Sequence, residues 1–480
     1  MHTMDHRFRS LPRGLIELGQ IPERRLREEF QIIIDPYINE AINDTINVTL
    51  IRELDGWARS FYTIEGQMMQ ISKYDRLKLP EPALPAWNAA KQHARNVFRT
   101  LPHVRAISYQ DFDSVKWLRA SAAGYGYVGT KGDNDNYHKA KKTAVTIAEK
   151  LNHDRSYGPQ ALESSTPDIA FTRTQLSQIK VKRKVRNVWG EAFHYVLLEG
   201  LFADPLIQLF KECQTFYFIG KDPLLAVPAL IQEILIQYDY VYMFDWSSFD
   251  SSVQEWEIRF AFELLESILV FPTSVEEQIW RFVIELFIYR KIACPDGTLK
   301  LKTLGIPSGS CFTNIIGSIV NYVRILFVFI KLTSKPAEAF THGDDSLAAV
   351  NSEHYIPIQN IKEVCDPFQW ELNATKSDVS NRAEGINFLS RTVRAGQNYR
   401  DELTALRMAK YPEHPVLEGR ISTLRVESIL LDSGLNSHNL FRIFKYLEQK
   451  YGKAENLPRQ LARWNPLEYE SLRLSYDSTM

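Results

Sequence analysis

The order of elements expected in the middle of this 480-residue chain predicts an α+β fold with an antiparallel sheet. A strand rich in aromatic and β-branched residues is predicted at 238–244, and apolar residues at helical spacing follow at 255–269 and 312–330. Two further strands, 337–342 and 346–350, flank a tight turn. With 45% hydrophobic and 24% charged residues, the composition is that of a globular protein and excludes wholesale disorder.

The N-terminal part of the chain shows weaker patterns. Residues 1–30 mix Arg and Glu around Leu and Ile, which is typical of an arm or a surface helix, and residues 31–120 are expected to be mainly helical. A glycine-rich loop is predicted at 121–132. Basic and apolar residues alternate at 180–190, which is the period of a strand.

Further elements are predicted between and after the central strands. The apolar run 315–332 carries Asn321 and Arg324, so a buried helix is expected there and not a membrane span. The others are a turn at 306–310, a helix at 355–365, a hairpin formed by 386–393 and 398–403, and mixed helical patterning in 410–480.

Charge is distributed unevenly in a chain whose net charge is −1. Residues 131–190 contain 12 Lys and Arg against 6 Asp and Glu, whereas residues 231–290 contain 3 Arg against 11 Asp and Glu. This asymmetry suits a protein that holds a polyanion with one part and cations with another. The first 30 residues lack a signal-peptide core and the four cysteines fit no zinc spacing, so free thiols in a reducing compartment are expected.

Three carboxylates stand at the ends of predicted strands. Asp245 closes the first strand, and Asp344 and Asp345 lie at the tip of the hairpin. Such charges are costly unless they are compensated, and Mg²⁺ takes hard oxygen ligands of this kind. Two ions about 3.5–4 Å apart could clamp the oxygens of a phosphoryl displacement. The alternative is a pair of solvated turn residues, because Gly-Asp is ordinary turn chemistry.

The surrounding residues carry a resemblance that a lone Gly-Asp-Asp would not. Asp245-Trp-Ser-Ser-Phe-Asp250, Pro307-Ser-Gly-Ser-Cys-Phe-Thr313 and Thr341-His-Gly-Asp-Asp-Ser346 follow one another in this order. Together they resemble motifs A, B and C of viral RNA-dependent RNA polymerases. The motif sequences are most similar to those of partitiviruses, the double-stranded RNA cryptic viruses. The resemblance spans about residues 120–400, with motif G at 121–132, motif F at 180–190, the end of motif D at 373–377 and motif E at 387–391.

The resemblance implies a metal site and a catalytic set. Asp245 and Asp344 would bridge two Mg²⁺ ions, or Mn²⁺, with a weaker contact from Asp345 and the backbone carbonyl of Trp246. Lys376 would act as the general acid for pyrophosphate. Positioning and charge stabilisation would then supply most of the rate.

Asp250 points to ribonucleotides. A reverse transcriptase of similar fold has a bulky aromatic residue at this position, whereas a carboxylate can accept a hydrogen bond from a ribose 2′-hydroxyl. The alternative is an acidic residue favoured at a helix N-terminus. The family often has Asn where this chain has Gly317, which leaves open which residue partners Asp250. The other nucleotide contacts implied are Lys182, Lys184, Arg186, Ser308, Gly309, Thr313 and Asn314.

Three residues are implied on the RNA path: Gly124, Lys131 and Arg391, with a salt-bridged hairpin as the alternative for Arg391. The family's fold is a right-hand polymerase with fingers, palm and thumb. It implies an N-terminal region and fingers at 1–236, a palm at 237–403 with an interleaved finger segment at 272–305, and a thumb at 404–480.

The function implied is template-directed RNA synthesis from NTPs, which transcribes and replicates a double-stranded RNA viral genome. RNA template, product duplex and capsid protein are the expected partners, without a membrane, in the virion interior and the host cytoplasm. Two alternatives stay open. One is a reverse transcriptase or another two-metal nucleotidyl enzyme. Asp250 argues against the reverse transcriptase. The other is a non-enzymatic RNA-binding or capsid-packaging protein.

Overall fold

The computed structural model describes residues 4–21, 32–59, 63–154, 156–179, 185–433 and 437–455. Helices predominate in this part of the chain, and strands fall mainly into two sheets. The helices are α1 (Pro36–Thr45), α2 (Val48–Leu54), α3 (Ile64–Ser72), α4 (Pro85–Arg99), α5 (Asn136–His153), α6 (Tyr157–Glu163), α7 (Phe193–Glu212), α8 (Pro223–Gln237), α9 (Phe249–Ser252), α10 (Glu255–Glu266), α11 (Ser274–Ile288), α12 (Thr313–Thr333), α13 (Ile358–Cys365), α14 (Glu402–Lys410), α15 (Gly419–Ser433) and α16 (His438–Tyr451).

Most of the strands are short. They are β1 (Leu15–Gln20), β2 (Trp57–Ala58), β3 (Val104–Arg105), β4 (Asp168–Thr174), β5 (Ser177–Gln178), β6 (Val185–Gly190), β7 (Tyr240–Met243), β8 (Leu269–Val270), β9 (Arg290–Ala293), β10 (Thr298–Lys302), β11 (Glu338–His342), β12 (Asp345–Val350), β13 (Asp378–Ser380), β14 (Thr392–Arg394) and β15 (Gln397–Tyr399). The fold is therefore α+β, as predicted.

A four-stranded antiparallel sheet in the order β11-β12-β7-β13 carries the acidic motifs. In β7, successive side chains face opposite sides of the sheet, so Tyr242 packs into the main core while Val241 packs towards α8. Helix α12 lies in that core. It is long and apolar enough to cross a membrane by length and composition, but 83% of its apolar window is buried inside the protein.

The second sheet joins distant parts of the chain in the order β1-β10-β9-β4-β6. Its β9 and β10 come from the segment 272–305, and they pair with strands from the N-terminal half. The expectation of an arm or surface helix for residues 1–30 was wrong for residues 15–20, which form β1. Leu15 pairs with Lys302 and Ile16 with Leu301, a partner that no local pattern reveals.

The C-terminal helices do not form a unit from residues after 403 alone. Helices α14 to α16 share a core with α1 and α2, in which Ile42, Leu406 and Leu440 are fully buried. Asp35, just before α1, is also fully buried, where it accepts hydrogen bonds from Ser422 and pairs with Arg425. The N-terminal residues therefore contact both the second sheet and the C-terminal helices.

The predicted hairpin near residue 390 is shorter than expected. Its strands are β14 and β15, and residues 402–403, expected in a strand, begin α14 instead. Asp401 explains this end, because its carboxylate accepts from the backbone N–H of Thr404 at 2.8 Å and caps the helix. The four cysteines are free thiols, as predicted.

Candidate active site

Three aspartates meet at one end of the four-stranded sheet. Leu347 of β12 pairs with Met243 of β7, so two residues further along the same antiparallel register Asp345 comes beside Asp245. Asp344 occupies the β11–β12 turn and is exposed. Burial raises the pKa of Asp345 to about 6, and the charges of Asp344 and Asp245 add to this effect, although the backbone N–H of Leu389 donates to its carboxylate at 2.8 Å.

Residues 372–377 pack beside Asp245 on the other edge. The Asp245 carbonyl accepts from the N–H of Asn373 at 2.9 Å, and its own N–H donates to Ser377 Oγ at 3.0 Å. Lys376 lies next to Ser377, and its side chain is exposed. The structure thus places the predicted general acid in the loop that contacts the first aspartate.

A fourth carboxylate and a cation complete the group. Asp250 lies in the short helix α9, and burial together with the nearby charge of Asp344 raises its pKa to about 7. The Arg186 guanidinium of β6 acts in the opposite direction. The charges that act on Asp250 thus come from two other elements, the acidic turn and β6, while Lys182 and Lys184 lie outside the described residues.

The segment 306–311 contacts β6 directly through the backbone. The Trp189 N–H donates to the Ser308 carbonyl at 2.9 Å, and a Cβ added to Gly309 would lie 2.0 Å from the Trp189 carbonyl oxygen. Only glycine allows this approach. Thr313 Oγ1 donates to the Pro307 carbonyl at 2.6 Å and so closes the turn at the start of α12.

Three polar residues of α12, which the sequence did not identify as one group, lie on the helix face towards the acidic turn. Asn321 joins two motifs, because its Oδ1 accepts from Trp246 Nε1 and its Nδ2 donates to the Gly343 carbonyl, both at 3.0 Å. Ser318 Oγ accepts from the Gly343 N–H at 2.7 Å. Asn314 Oδ1 accepts from the Tyr217 hydroxyl at 2.7 Å. Their spacing of four and three residues on one helix face was the available signal.

Gly317 packs against the acidic turn. A Cβ there would lie 3.5 Å from Gly343 Cα, so the residue sits directly against the acidic turn. Gly343 has a φ of +64°, which favours glycine. The Thr313 side chain binds the Pro307 carbonyl, and the Asn314 side chain binds Tyr217. These hydrogen bonds do not involve Asp250.

A buried charge cluster anchors the other end of the 306–311 segment, and sequence reasoning missed it. Glu199 of α7 accepts from Ser310 Oγ at 2.7 Å and from the Cys311 N–H at 2.8 Å. Arg290 donates to Glu199 at 2.8 Å and to Glu191 at 2.7 Å, and its side chain is fully buried. No periodic pattern signals such contacts between residues about a hundred positions apart.

Ligand atoms of Glu191, Glu199 and Cys311 lie within 4.8 Å of one another. Among the residues that the structure describes, this is the one group of three or more potential metal-ligating side chains with such close spacing. Arg290 already compensates the two glutamates. Burial and the charge of Glu199 raise the pKa of Glu191 well above its usual range.

The residues expected on the RNA path make contacts inside the protein. Gly124 is buried with a φ of +85°, and Lys131 Nζ donates to Ser121 Oγ at 2.9 Å. Arg391 is 8% exposed and forms an ion pair with Asp432, so the salt-bridged hairpin is present. Buried polar groups favour internal partners of this kind. The RNA contacts of all three residues stay predictions.

Comparisons with known proteins agree on one family. The model of the family described as viral RNA-dependent RNA polymerase matches residues 36–448. The RNA-directed RNA polymerase of White clover cryptic virus 1 is 24% identical over 281 residues, which are 50% of this chain and 44% of that protein. The genome polyprotein of a simian hepatitis A virus is 26% identical over 233 residues, 44% of this chain and 10% of the polyprotein. The chain thus spans less than half the length of these relatives.

Two solved structures are similar over most of the chain. The 3Dpol RNA-dependent RNA polymerase of a sicinivirus superposes with a TM-score of 0.67 at 14% identity, covering 95% of this chain and 99% of that one. An insertion-loop deletion mutant of the RNA-dependent RNA polymerase of a human picobirnavirus gives a TM-score of 0.63 at 18% identity, covering 86% and 80%.

Proposed function

The chain belongs to the family of viral RNA-dependent RNA polymerases, and from this premise we propose that it copies an RNA template into RNA from nucleoside triphosphates. The fold class predicted from the sequence, a right-hand polymerase, is confirmed by the similar solved structures. One observation carries the proposal: Asp250 lies near enough to Asp344 and Arg186 for both charges to act on its pKa, at the sheet end where Asp245 and Asp345 also lie.

The donor set at this sheet end fits hard divalent cations. Three carboxylates at the end of a largely buried sheet need compensation, and oxygen donors of this kind suit Mg²⁺ or Mn²⁺. Asp245 and Asp344 would hold two ions, with Asp345 and the Trp246 carbonyl as additional ligands. When bound, such ions lower the pKa of a 3′-hydroxyl and neutralise pyrophosphate.

The chain's own residues would bind and orient the nucleotide. Arg186 offers a planar fork to the triphosphate, and Lys182 and Lys184 would extend that positive surface. Asp250 would accept a hydrogen bond from the ribose 2′-hydroxyl, which a deoxyribose lacks. Ser308 and Gly309, held against β6, would border the sugar, and Lys376 would supply a proton to pyrophosphate.

A more specific part of the proposal concerns the viral genome that serves as template and the place where the protein acts. Two observations support a double-stranded RNA genome as the template source: the motif sequences are similar to those of partitiviruses, and one relative comes from a cryptic virus. In that setting the protein would both transcribe and replicate RNA beside capsid protein, in the virion interior and the host cytoplasm.

The test is nucleotide incorporation by the purified protein on single-stranded RNA with Mg²⁺, using labelled NTPs or dNTPs. Asp344→Asn is expected to lower incorporation by at least about 100-fold, because it removes charge where phosphoryl charge develops. Asp366→Asn is the matched control, since Asp366 is also exposed but pairs with Lys362 on the surface.

The outcomes of this assay separate an RNA polymerase from a reverse transcriptase and from an RNA-binding protein. NTP-only incorporation lost in Asp344→Asn supports the proposal, whereas dNTP incorporation on RNA assigns a reverse transcriptase. RNA binding without incorporation of either substrate, also with Mn²⁺ and a primed template, refutes the purified chain as a polymerase and favours an RNA-binding or packaging protein.

A further inference from the structure

A buried tyrosine from the N-terminal region reaches the segment that precedes motif B. Tyr74 follows helix α3 and is only 5% exposed. Its hydroxyl donates to the Ile306 carbonyl at 2.7 Å, and its ring packs on Trp189 with the two ring centroids 5.1 Å apart. The residue therefore contacts both the motif B segment and strand β6.

The residue that Tyr74 holds, Ile306, also binds Asp250. The Ile306 N–H donates to the Asp250 backbone carbonyl at 2.8 Å. At Gly305, where φ is +81°, an added Cβ would lie 2.7 Å from the Tyr74 ring and 2.9 Å from the same Asp250 carbonyl oxygen. Tyr74, residues 305–306 and Asp250 thus pack as one unit with no room for a side chain between them.

The hydroxyl is a permanent donor. Burial, with the Asp250 charge nearby, raises the pKa of Tyr74 well above its usual range, so the proton stays on the oxygen at any working pH. Trp189, on which the ring packs, lies three residues after Arg186 on β6. One side chain therefore contacts the strand that carries Arg186 and, through Ile306, is linked to Asp250.

We propose that Tyr74 is a positioning residue that fixes Asp250 and thereby helps the protein to distinguish ribose from deoxyribose in the incoming nucleotide. This inference rests on the proposed RNA synthesis and deepens it. Tyr74 does not touch the substrate. It holds Ile306, whose N–H binds the Asp250 carbonyl, and a hydrogen bond to one sugar hydroxyl depends on placing the acceptor within about 0.5 Å.

Tyr74→Phe tests this, because the ring stays and only the hydroxyl is removed. The ratio of kcat/KM for NTP to that for dNTP is expected to fall about 5-fold, the equivalent of one hydrogen bond, mainly through a higher KM for the NTP. Tyr411→Phe is the matched control. Tyr411 is 3% exposed, its hydroxyl donates to the Leu54 carbonyl at 2.9 Å, and it has no assigned part in nucleotide binding, so the ratio should not change.

A second variant separates positioning from general stabilisation. If Tyr74 acts through Asp250, Tyr74→Phe should reduce the ratio no further in an Asp250→Asn background. Equal losses with NTP and dNTP, or an additive loss in the double variant, would overturn the proposal. All kinetics are run below the melting temperatures of Tyr74→Phe and Tyr411→Phe, so unfolding does not enter the comparison.

A readout without turnover keeps this inference separate from the proposed function. If the wild-type protein incorporates no nucleotide, the proposed function fails on that result alone. Thermal stabilisation by GTP and dGTP then decides on Tyr74. A preference for GTP in the wild type that Tyr74→Phe loses supports the inference, and an equal preference in both proteins, or none in the wild type, overturns it.

Discussion

Replacing Arg290 with methionine is expected to destabilise the protein strongly, because Arg290 is the cation at the centre of a buried acidic cluster. Its side chain is fully buried and donates to Asp168 at 3.2 Å, to Glu191 at 2.7 Å and to Glu199 at 2.8 Å. Methionine keeps an unbranched apolar stem of similar length but removes the charge and these hydrogen bonds.

The magnitude follows from the burial of the three partners. Asp168 and Glu199 are fully buried and Glu191 is 4% exposed, so none can recover hydration when Arg290 is lost. Removing one partner of a buried ion pair costs about 3–5 kcal/mol in the free energy of unfolding. The same change frees Glu199, which anchors Ser310 and Cys311, so nucleotide incorporation should fall as well.

The loss should depend on pH in a defined direction. Burial already raises the pKa of Asp168 to about 6 with Arg290 present, and without the cation the pKa values of Asp168 and Glu191 rise further. A carboxyl whose pKa is raised in the folded state binds more protons there than in the unfolded chain, so stability falls as pH rises. The destabilisation by Arg290→Met should therefore be larger at pH 8 than at pH 5.

Equilibrium urea unfolding, followed by tryptophan fluorescence at both pH values, measures this. Arg420→Met is the control, because Arg420 pairs with Glu418 at the surface, where the two side chains are 62% and 50% exposed, and should cost less than about 1 kcal/mol. An Arg290→Met protein as stable as the wild type at pH 8, or equally destabilised at both pH values, would refute the reasoning.

Two further substitutions probe the motif B segment and an N-terminal ion pair. Gly309→Ala should place a Cβ 2.0 Å from the Trp189 carbonyl oxygen, so incorporation should fall on the order of 10–100-fold while thermal denaturation still shows a folded protein; unchanged incorporation would contradict the close approach. Glu285→Gln should cost about 3 kcal/mol at pH 7, measured by urea unfolding. Burial raises the pKa of Glu285, but hydrogen bonds from His6 and Arg259 outweigh this and lower it from 4.5 to about 2, so its contribution is present above pH 4.5 and is lost as pH falls towards 2.

The Glu285 experiment has its own control. Glu448→Gln removes an exposed carboxylate that pairs with Lys445 within one helix turn, and it should change the free energy of unfolding by less than about 0.5 kcal/mol. A loss in Glu285→Gln that is as large at pH 3 as at pH 7 would show that the ion pair is not its source.

Local patterns were sufficient for the elements that carry the acidic motifs. The predicted strand at 238–244 contains β7, the helix at 312–330 lies almost entirely within α12, and the strands at 337–342 and 346–350 match β11 and β12 closely. Periodicity, turn residues and β-branched content act over a few neighbours, so they are readable along the chain. The same patterns placed Asp245 and Asp344 at strand ends before any contact was known.

Local patterns failed where pairing decided the structure. Residues 15–20 became a strand only because β10 offers an edge, and the hairpin near residue 390 stopped early because Asp401 caps a helix. The predicted units at 1–236 and 404–480 are tied together, since Ile42 and Leu440 share one core. Edge pairing and shared cores depend on partners hundreds of residues away.

The sequence by itself determined the family, the α+β class and the carboxylates of the candidate site, because these depend on residue types at short spacing. Only the tertiary structure decided what supports that site. Asn321 joins the strand end to the acidic turn, Glu199 anchors Cys311 from 112 positions away, and Tyr74 holds a peptide 232 positions away. Hydrogen bonds between such distant residues form only after the chain has packed, so no spacing along the sequence encodes them.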